Sequence, residues 1–431
     1  MKKGLAVAVV ALLSLAGTAC GGKTSEGASA SSAASSAAPA LKAGLISVGD
    51  ETETYSKAHI DGFNAAATKL GIAQSQLNIQ VNVPESNQVT TVGNDMIDQG
   101  CNLIFTNSYG HQDFAYQLAK NNPEVTVVAD TGDYAALTGL SNFKNAFTDI
   151  YEARYVSGLV GGLKLKELVD NGELGEKNKD ASGNWKIGYV GAFKYAEVIS
   201  GYSAFYIGIL DGFGASNVTM EIQFTSSWFD HDAEKVTAQT LIDRGCAIIG
   251  QHADSTGAPE ACEESFLKGT KCFSIGYNLD MLSAAPHAAL TSSTNVWEVF
   301  YEYALGAKLN GTEFATDWAK GYKDGAVAIT TLGPNVAAGT AEKVKEAEDA
   351  IKAGSLKVFD TSKFTVGGQH ITSNKVDFSY YTYDASGAHL VHQGPTEETV
   401  KSEGGVTYVE ESVKRSAPYF SLSIDGITWL N

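Results

Sequence analysis

At 431 residues with 44% hydrophobic content, the chain is long enough for two or three packed domains rather than a single core. Its 49 acidic and 31 basic side chains leave a formal net charge of −18, which excludes nucleic acid as a partner and argues against docking by charge on an anionic membrane. The chain carries no GxGxxG, P-loop, GxSxG or HExxH motif, and no CxxC or His-spaced set that suggests a metal site.

The chain opens on an expected targeting segment. Lys2 and Lys3 precede an apolar stretch over 5–15 that is too short for a stop-transfer helix, and Gly17-Thr18-Ala19 lead to Cys20. This arrangement resembles a bacterial lipoprotein signal, with 1–20 as signal peptide and Cys20 as the lipidated N-terminus; Gly17 stands where such signals usually carry Leu. Residues 21–42 read as a flexible Ser/Ala-rich tether.

Strand and helix then alternate. Residues 45–49 read as a strand running into a polar loop, and Ile60, Phe63, Ala67 and Leu70 recur at a helical period that Gly71 ends. Strand 79–83, helix 89–99, strand 101–105, helix 112–120 and strand 125–128 complete a first unit. Beyond a Gly/Asn/Lys-rich boundary at 171–184 the order repeats as strand 186–190, helix 198–213, strand 220–224, helix 233–244, strand 246–249, helix 259–267 and strand 272–275. The repeat is visible in the letters: the ten residues from Met96 and the ten from Leu241 agree at five positions, an offset of 145 that still pairs Val127 with Cys272.

Such alternation implies an α/β fold with two doubly wound parallel-sheet lobes joined by a hinge, and the twofold offset disfavours the alternative, a TIM barrel. Residues 43–170 with about 276–310 are expected in lobe 1, and 185–275 with about 311–360 in lobe 2. A C-terminal extension, 361–431, shows β-alternation at 376–383 and 406–410. The crossover between lobes is expected at Gly276-Tyr277-Asn278-Leu279-Asp280.

Ligands of open parallel sheets bind beyond the carboxyl ends of the strands. Tyr55, Tyr109, Phe193 and Trp228 fall in such loops, where an aromatic face stacks on a flat ring; lobe packing is the competing role. Asn107, His252, Asp254, Ser255, Asn278 and Asp280 offer amides and carboxylates to hydroxyls or ring nitrogens, with helix capping about as good an account of Asp254 and Ser255. His231, between Asp230 and Asp232, reads as a helix N-terminus rather than acid/base machinery. Cys101 and Cys246 read as small hydrophobes inside strands, so Cys246 and His252 form no dyad. Cys262 and Cys272 admit a disulfide that their spacing does not force.

Several stretches carry a resemblance: 149–158 (DIYEARYVSG), 186–191 (KIGYVG), Trp228-Phe229-Asp230, Asp254-Ser255-Thr256, 275–280 (IGYNLD), Trp318 with 321–325, and 351–355 (IKAGS). Together they resemble the basic membrane lipoprotein family, purine-nucleoside-binding substrate-binding proteins of ABC transporters, over roughly 43–360. The resemblance implies a type I periplasmic-binding-protein-like fold without enzymatic activity or cofactor. It further implies a monomer, lipid-anchored on the extracytoplasmic face of the cell membrane, that captures a nucleoside or nucleobase for an ABC permease. It places Tyr55 at the family's stacking Phe, with Ser56-Lys57 in place of Asn-Gln, and Asn278 or Asp280 at the acidic ribose ligand. The family's later Lys falls near Asn295. Two other classes stay open: a lipoprotein receptor sensing a sugar or other small metabolite, and a nucleoside hydrolase with Asp50-Glu51 as its loose candidate.

Overall fold

The computed structural model describes residues 40–384 and 386–431, so the targeting segment, Cys20 and the tether up to residue 39 lie outside the described residues. The first lobe starts with β1 (Ala43–Ile46), α1 (Thr54–Lys69), β2 (Leu77–Gln80), α2 (Gln88–Asp98), β3 (Leu103–Thr106), α3 (Gln112–Asn121), β4 (Thr126–Asp130), α4 (Ala135–Thr138) and β5 (Phe143–Thr148). Helix α5 (Ile150–Asp170) leads to β6 (Trp185–Gly191), α6 (Ala196–Phe213), β7 (Val218–Phe224), α7 (His231–Asp243), β8 (Ile248–Gln251), α8 (Gly257–Leu267), β9 (Phe273–Tyr277) and β10 (Ala289–Asn295). Then come α9 (Trp297–Asn310), β11 (Asp317–Lys320), β12 (Val327–Ile329) and α10 (Thr340–Lys352).

One strand order serves both lobes: β2-β1-β3-β4-β5 in the first and β7-β6-β8-β9-β10 in the second, all parallel. β11 extends the first sheet beside β5, and β12 runs antiparallel on β10. The fold is thus the doubly wound α/β architecture expected, as two open sheets rather than a barrel. The repeat survives in three dimensions, since Leu103 opens β3 and Ile248, its counterpart at the same offset, opens β8.

The lobe boundaries differ from those expected. The chain passes between sheets after β5, between β10 and α9, and between β11 and β12. Helix α5 packs on α6, β9 and β10, which places it in the second lobe. β10 joins the second sheet and β11 the first, the reverse of the ranges read from sequence. Residues 276–280 are no crossover, because β9 and β10 are neighbours in one sheet. The physical reason is that the sheet a strand joins is chosen by tertiary pairing, which local periodicity does not encode.

β1, β3 and β9 are buried along their whole length, as strands covered by helices on both faces must be. α5 and α6 approach so closely that a Cβ on Gly158 would stand 2.1 Å from the Phe205 carbonyl oxygen, and one on Gly208 2.1 Å from that of Tyr155. Cys101 and Cys246 are buried, but in the turns just before β3 and β8 rather than inside the strands. Cys262 and Cys272 are buried free thiols with sulfurs 3.5 Å apart, so the admitted disulfide is not formed; they pack as small hydrophobes.

The extension carries the expected β-structure: β13 (Lys375–Asp377), β14 (Tyr380–Asp384), β15 (Gly387–His392), β16 (Thr396–Glu398), β17 (Val400–Glu403), β18 (Val406–Val409) and β19 (Ile427–Trp429). It touches both lobes. β19 pairs in parallel with β7, and Asn431 brackets the backbone of Phe224 with two 2.9 Å bonds. On the first lobe, Tyr380 stacks on Tyr134 at 4.1 Å and donates to Asp113 at 2.9 Å. Among the described residues no helix is long and apolar enough to cross a membrane.

Candidate functional site

The carboxyl ends of the two sheets meet around a cavity of about 590 Å³, within the usual span of about 300–1,000 Å³ for small-molecule sites. Aromatic rings from both lobes line it. Phe193 lies near-parallel to Tyr195 at 5.4 Å and edge-on to Trp228 at 4.9 Å, and Tyr109 reaches across from the first lobe to within 5.6 Å of Tyr195. Tyr55 also lines the cavity from the first turn of α1, its hydroxyl donating to the Asn107 carbonyl at 2.7 Å.

Beneath Tyr55 the first-lobe polar groups are largely spent on one another. Glu53 caps α1, accepting from the N–H groups of Tyr55 and Ser56 at 2.8 and 2.9 Å. Asn107 accepts from Val48 N–H at 2.8 Å and donates to Ser47 and Ser56, locking β1, β3 and α1 together. Ser56 is buried in that bracket and does not line the cavity, so its expected ligand role gives way to scaffolding. Asp50 does line it, but hydrogen bonds from Thr52 and Asn82 hold its carboxyl down at about 2. Glu51 does not line the cavity, so the loose hydrolase pair Asp50-Glu51 is not assembled on its wall.

In the second lobe, His252 and Asp254 line the cavity beyond β8. Arg154 donates to His252 Nδ1 at 3.2 Å, so Nε2 carries the proton and donates to Glu197 at 2.5 Å. Burial keeps this histidine below its usual range and neutral. Arg154 also donates to the Gln251 carbonyl at 2.6 Å and lies 3.6 Å over the Tyr277 ring, a buried cation held by its surroundings. Burial, reinforced by Glu53 and Glu234, raises Asp254 well above the carboxylate range, favouring a neutral acid that both donates and accepts.

Three expected ligand residues prove structural. Ser255 takes an N–H bond from Gly257 at 3.0 Å and gives its own N–H to Glu234 at 3.1 Å, a cap of α8 that does not line the cavity. Asn278, buried at φ 62°, donates to Asp254 at 2.9 Å and accepts from Asn295 at 3.0 Å. Asp280 is exposed, turned away to the Leu282 N–H at 2.8 Å. Asp230 does cap α7, as read from the sequence.

Two links cross between the lobes. The Asp254 carbonyl accepts from both N–H and Oγ1 of Thr54, at 3.1 and 3.0 Å, joining α1 of one lobe to the β8 loop of the other. Thr148 at the end of β5 donates to Asn295 at 2.5 Å, which continues through Asn278 to Asp254. Thr131 and Ser226 both line the cavity at positive φ, 71° and 59°, a strain that concentrates at ligand-handling sites.

Sequence reasoning missed Tyr195 and Glu197, which follow Phe193 in the same loop, and Glu85 and Asp133 beyond β2 and β4; the rule of strand carboxyl ends was the available signal. Arg415, from the extension, carried no signal at all. Among the described residues no group of three or more His, Cys, Asp or Glu is placed to hold a metal ion.

A family model described as ABC transporter substrate-binding protein, PnrA-like, matches residues 43–359. The chain is 30% identical over 264 residues to a purine-binding protein of Brucella abortus (strain 2308), covering 60% of this chain and 66% of that protein. It is 27% identical over 262 residues to a Haloferax volcanii protein named as an ABC transporter glucose-binding protein, covering 61% and 60%. The chain thus spans less than two thirds of the length of these relatives. A solute-binding protein of an Aeropyrum pernix K1 ABC transporter shares the fold with a TM-score of 0.59 at 16% identity, over 77% of this chain and 94% of that one.

Proposed function

The chain belongs to the PnrA-like family of ABC transporter substrate-binding proteins, and from that premise we propose that its cleft captures a purine nucleoside for import. Proteins of this family bind solutes outside the cytoplasm and are not enzymes. The observation that carries the nucleoside reading is the array of Tyr109, Phe193, Tyr195 and Trp228, which gathers aromatic rings from both lobes on the cavity wall as a surface for stacking a flat base. Around it stand Asp50, Glu53, Glu85, Asp133, Glu197 and Asp254, carboxyl groups suited to ribose hydroxyls. The purine-binding relative from Brucella supports the same ligand class.

Mechanistically, ligand binds to the open form and favours closure, because a ring held from both sides gains contacts only when the lobes meet. The Thr54–Asp254 link then belongs to the closed state, whose surface a membrane permease would recognise. Lipidation at Cys20 would hold the monomer on the extracytoplasmic face of the membrane beside that permease.

A thermal-shift screen of refolded protein against nucleosides, nucleobases, sugars and amino acids tests the ligand class. A ligand at 100 times its Kd adds about 2.7 kcal/mol, seen as a rise of several degrees. Purine nucleosides are expected to give the largest rise; a rise with sugars alone would transfer the site to the sugar-binding alternative.

A further inference from the structure

The family match stops at residue 359, yet the chain beyond it reaches the ligand cavity. Arg415, Ala417 and Pro418 form part of the wall, and Arg415 is the one Lys or Arg among the described residues lining it. Its guanidinium is fixed on several sides. Nε donates to the Ala417 carbonyl at 3.3 Å, Nη1 pairs with Asp133 Oδ2 at 3.2 Å, and the group lies 5.6 Å from the centre of the Phe378 ring. The segment around it is anchored in turn. Ser416 donates from its N–H and Oγ to Asp317 at 3.1 and 3.0 Å, and buried Glu411 accepts from the N–H groups of Tyr419 and Phe420 at 3.1 and 2.8 Å.

Two polar atoms of this pair stay unused. Nη2 of Arg415 has no partner among the described residues, and Oδ1 of Asp133 is buried without one. A guanidinium held this firmly loses little freedom when it donates again, and a charge already balanced by a carboxylate suits a neutral acceptor better than an anion. With Nε and Nη1 engaged, Nη2 alone is left to donate, and the carbonyl on the edge of an oxopurine is an acceptor of the kind arginine reads. We propose that Arg415, delivered by the C-terminal extension and oriented by Asp133, is a specificity-determining residue that donates from Nη2 to the 6-oxo group of the bound purine nucleoside. The proposal rests on the nucleoside reading and narrows it to 6-oxopurines.

Calorimetry on the full chain with inosine and with purine riboside, which lacks the 6-oxo acceptor, forms a cycle with Arg415→Ala. The wild type is expected to prefer inosine by about tenfold or more, as a donor left unpaired by the analogue requires. Arg415→Ala is expected to bring that ratio close to one, mainly by weakening inosine, and Asp133→Asn to reduce it in part. Equal weakening of both ligands would mark Arg415 as a structural prop and overturn the proposal, as would a ratio that survives the substitution. Failure of both ligands to bind the wild type would instead refute the nucleoside reading, and the proposal with it.

Discussion

Replacing Trp228 with alanine is the sharpest perturbation of the aromatic array. The ring is half-buried, edge-on to Phe193 at 4.9 Å and tilted against Tyr195 at 5.9 Å. Its loop is held by main chain that the substitution leaves intact, since the Trp228 carbonyl accepts from Asp254 N–H at 2.8 Å. The loss therefore falls on the ligand. Base–aromatic stacking is worth about 1–3 kcal/mol, so the Kd for a purine nucleoside should rise roughly 5- to 150-fold. Trp228→Phe keeps a π-face and should lose about tenfold at most. Calorimetry on the wild type and both variants reads these ratios, with melting of the ligand-free proteins as a check on the fold. An unchanged Kd in Trp228→Ala would refute stacking, and equal losses in both variants would show that shape rather than the π-face matters.

Other substitutions probe the frame. Thr54→Val deletes one of two bonds to the Asp254 carbonyl, so ligand affinity should fall by about 0.5–1.5 kcal/mol, and no change by calorimetry would remove this link from closure. Gly208→Ala drives a Cβ into the Tyr155 carbonyl, so chemical denaturation should show a loss of about 1–3 kcal/mol or more; wild-type stability would contradict the close α5–α6 approach. Burial pushes Glu411 up to about 8, so the folded state holds its proton where the unfolded chain has lost it. That contribution to stability is complete below about pH 4.5 and declines as pH rises towards 8, so Glu411→Gln should flatten melting temperature over this window; a profile parallel to the wild type would count against a protonated Glu411. Cys20→Ser should release the protein from membranes, and retention there would exclude lipid anchoring.

Much of the architecture was written in local pattern. Ile97-Asp98 and Ile242-Asp243, each followed by a glycine turn and an apolar run, mark the helix-to-strand corner that recurs at β3 and β8 and exposes the duplication. The same logic located Tyr55, Tyr109, Phe193, Trp228, His252 and Asp254 on the cavity wall, because the carboxyl ends of parallel strands converge there. It failed where a side chain had a second choice. Ser56, Ser255 and Asn278 have the same chemistry as a ligand group, but each found a nearer backbone, amide or carboxyl partner. β10 and β11 swapped lobes because the sheet a strand joins is set by tertiary pairing, which the local pattern does not carry. Arg415 lies 282 positions after Asp133, a pairing made only by the folded extension.

The most direct test of the account is a crystal structure of the protein grown with saturating inosine. The account predicts a closed cleft with the purine ring against Trp228 and the ribose among the carboxyl groups. Inosine bound elsewhere, or a cleft that stays vacant at saturation, would contradict it.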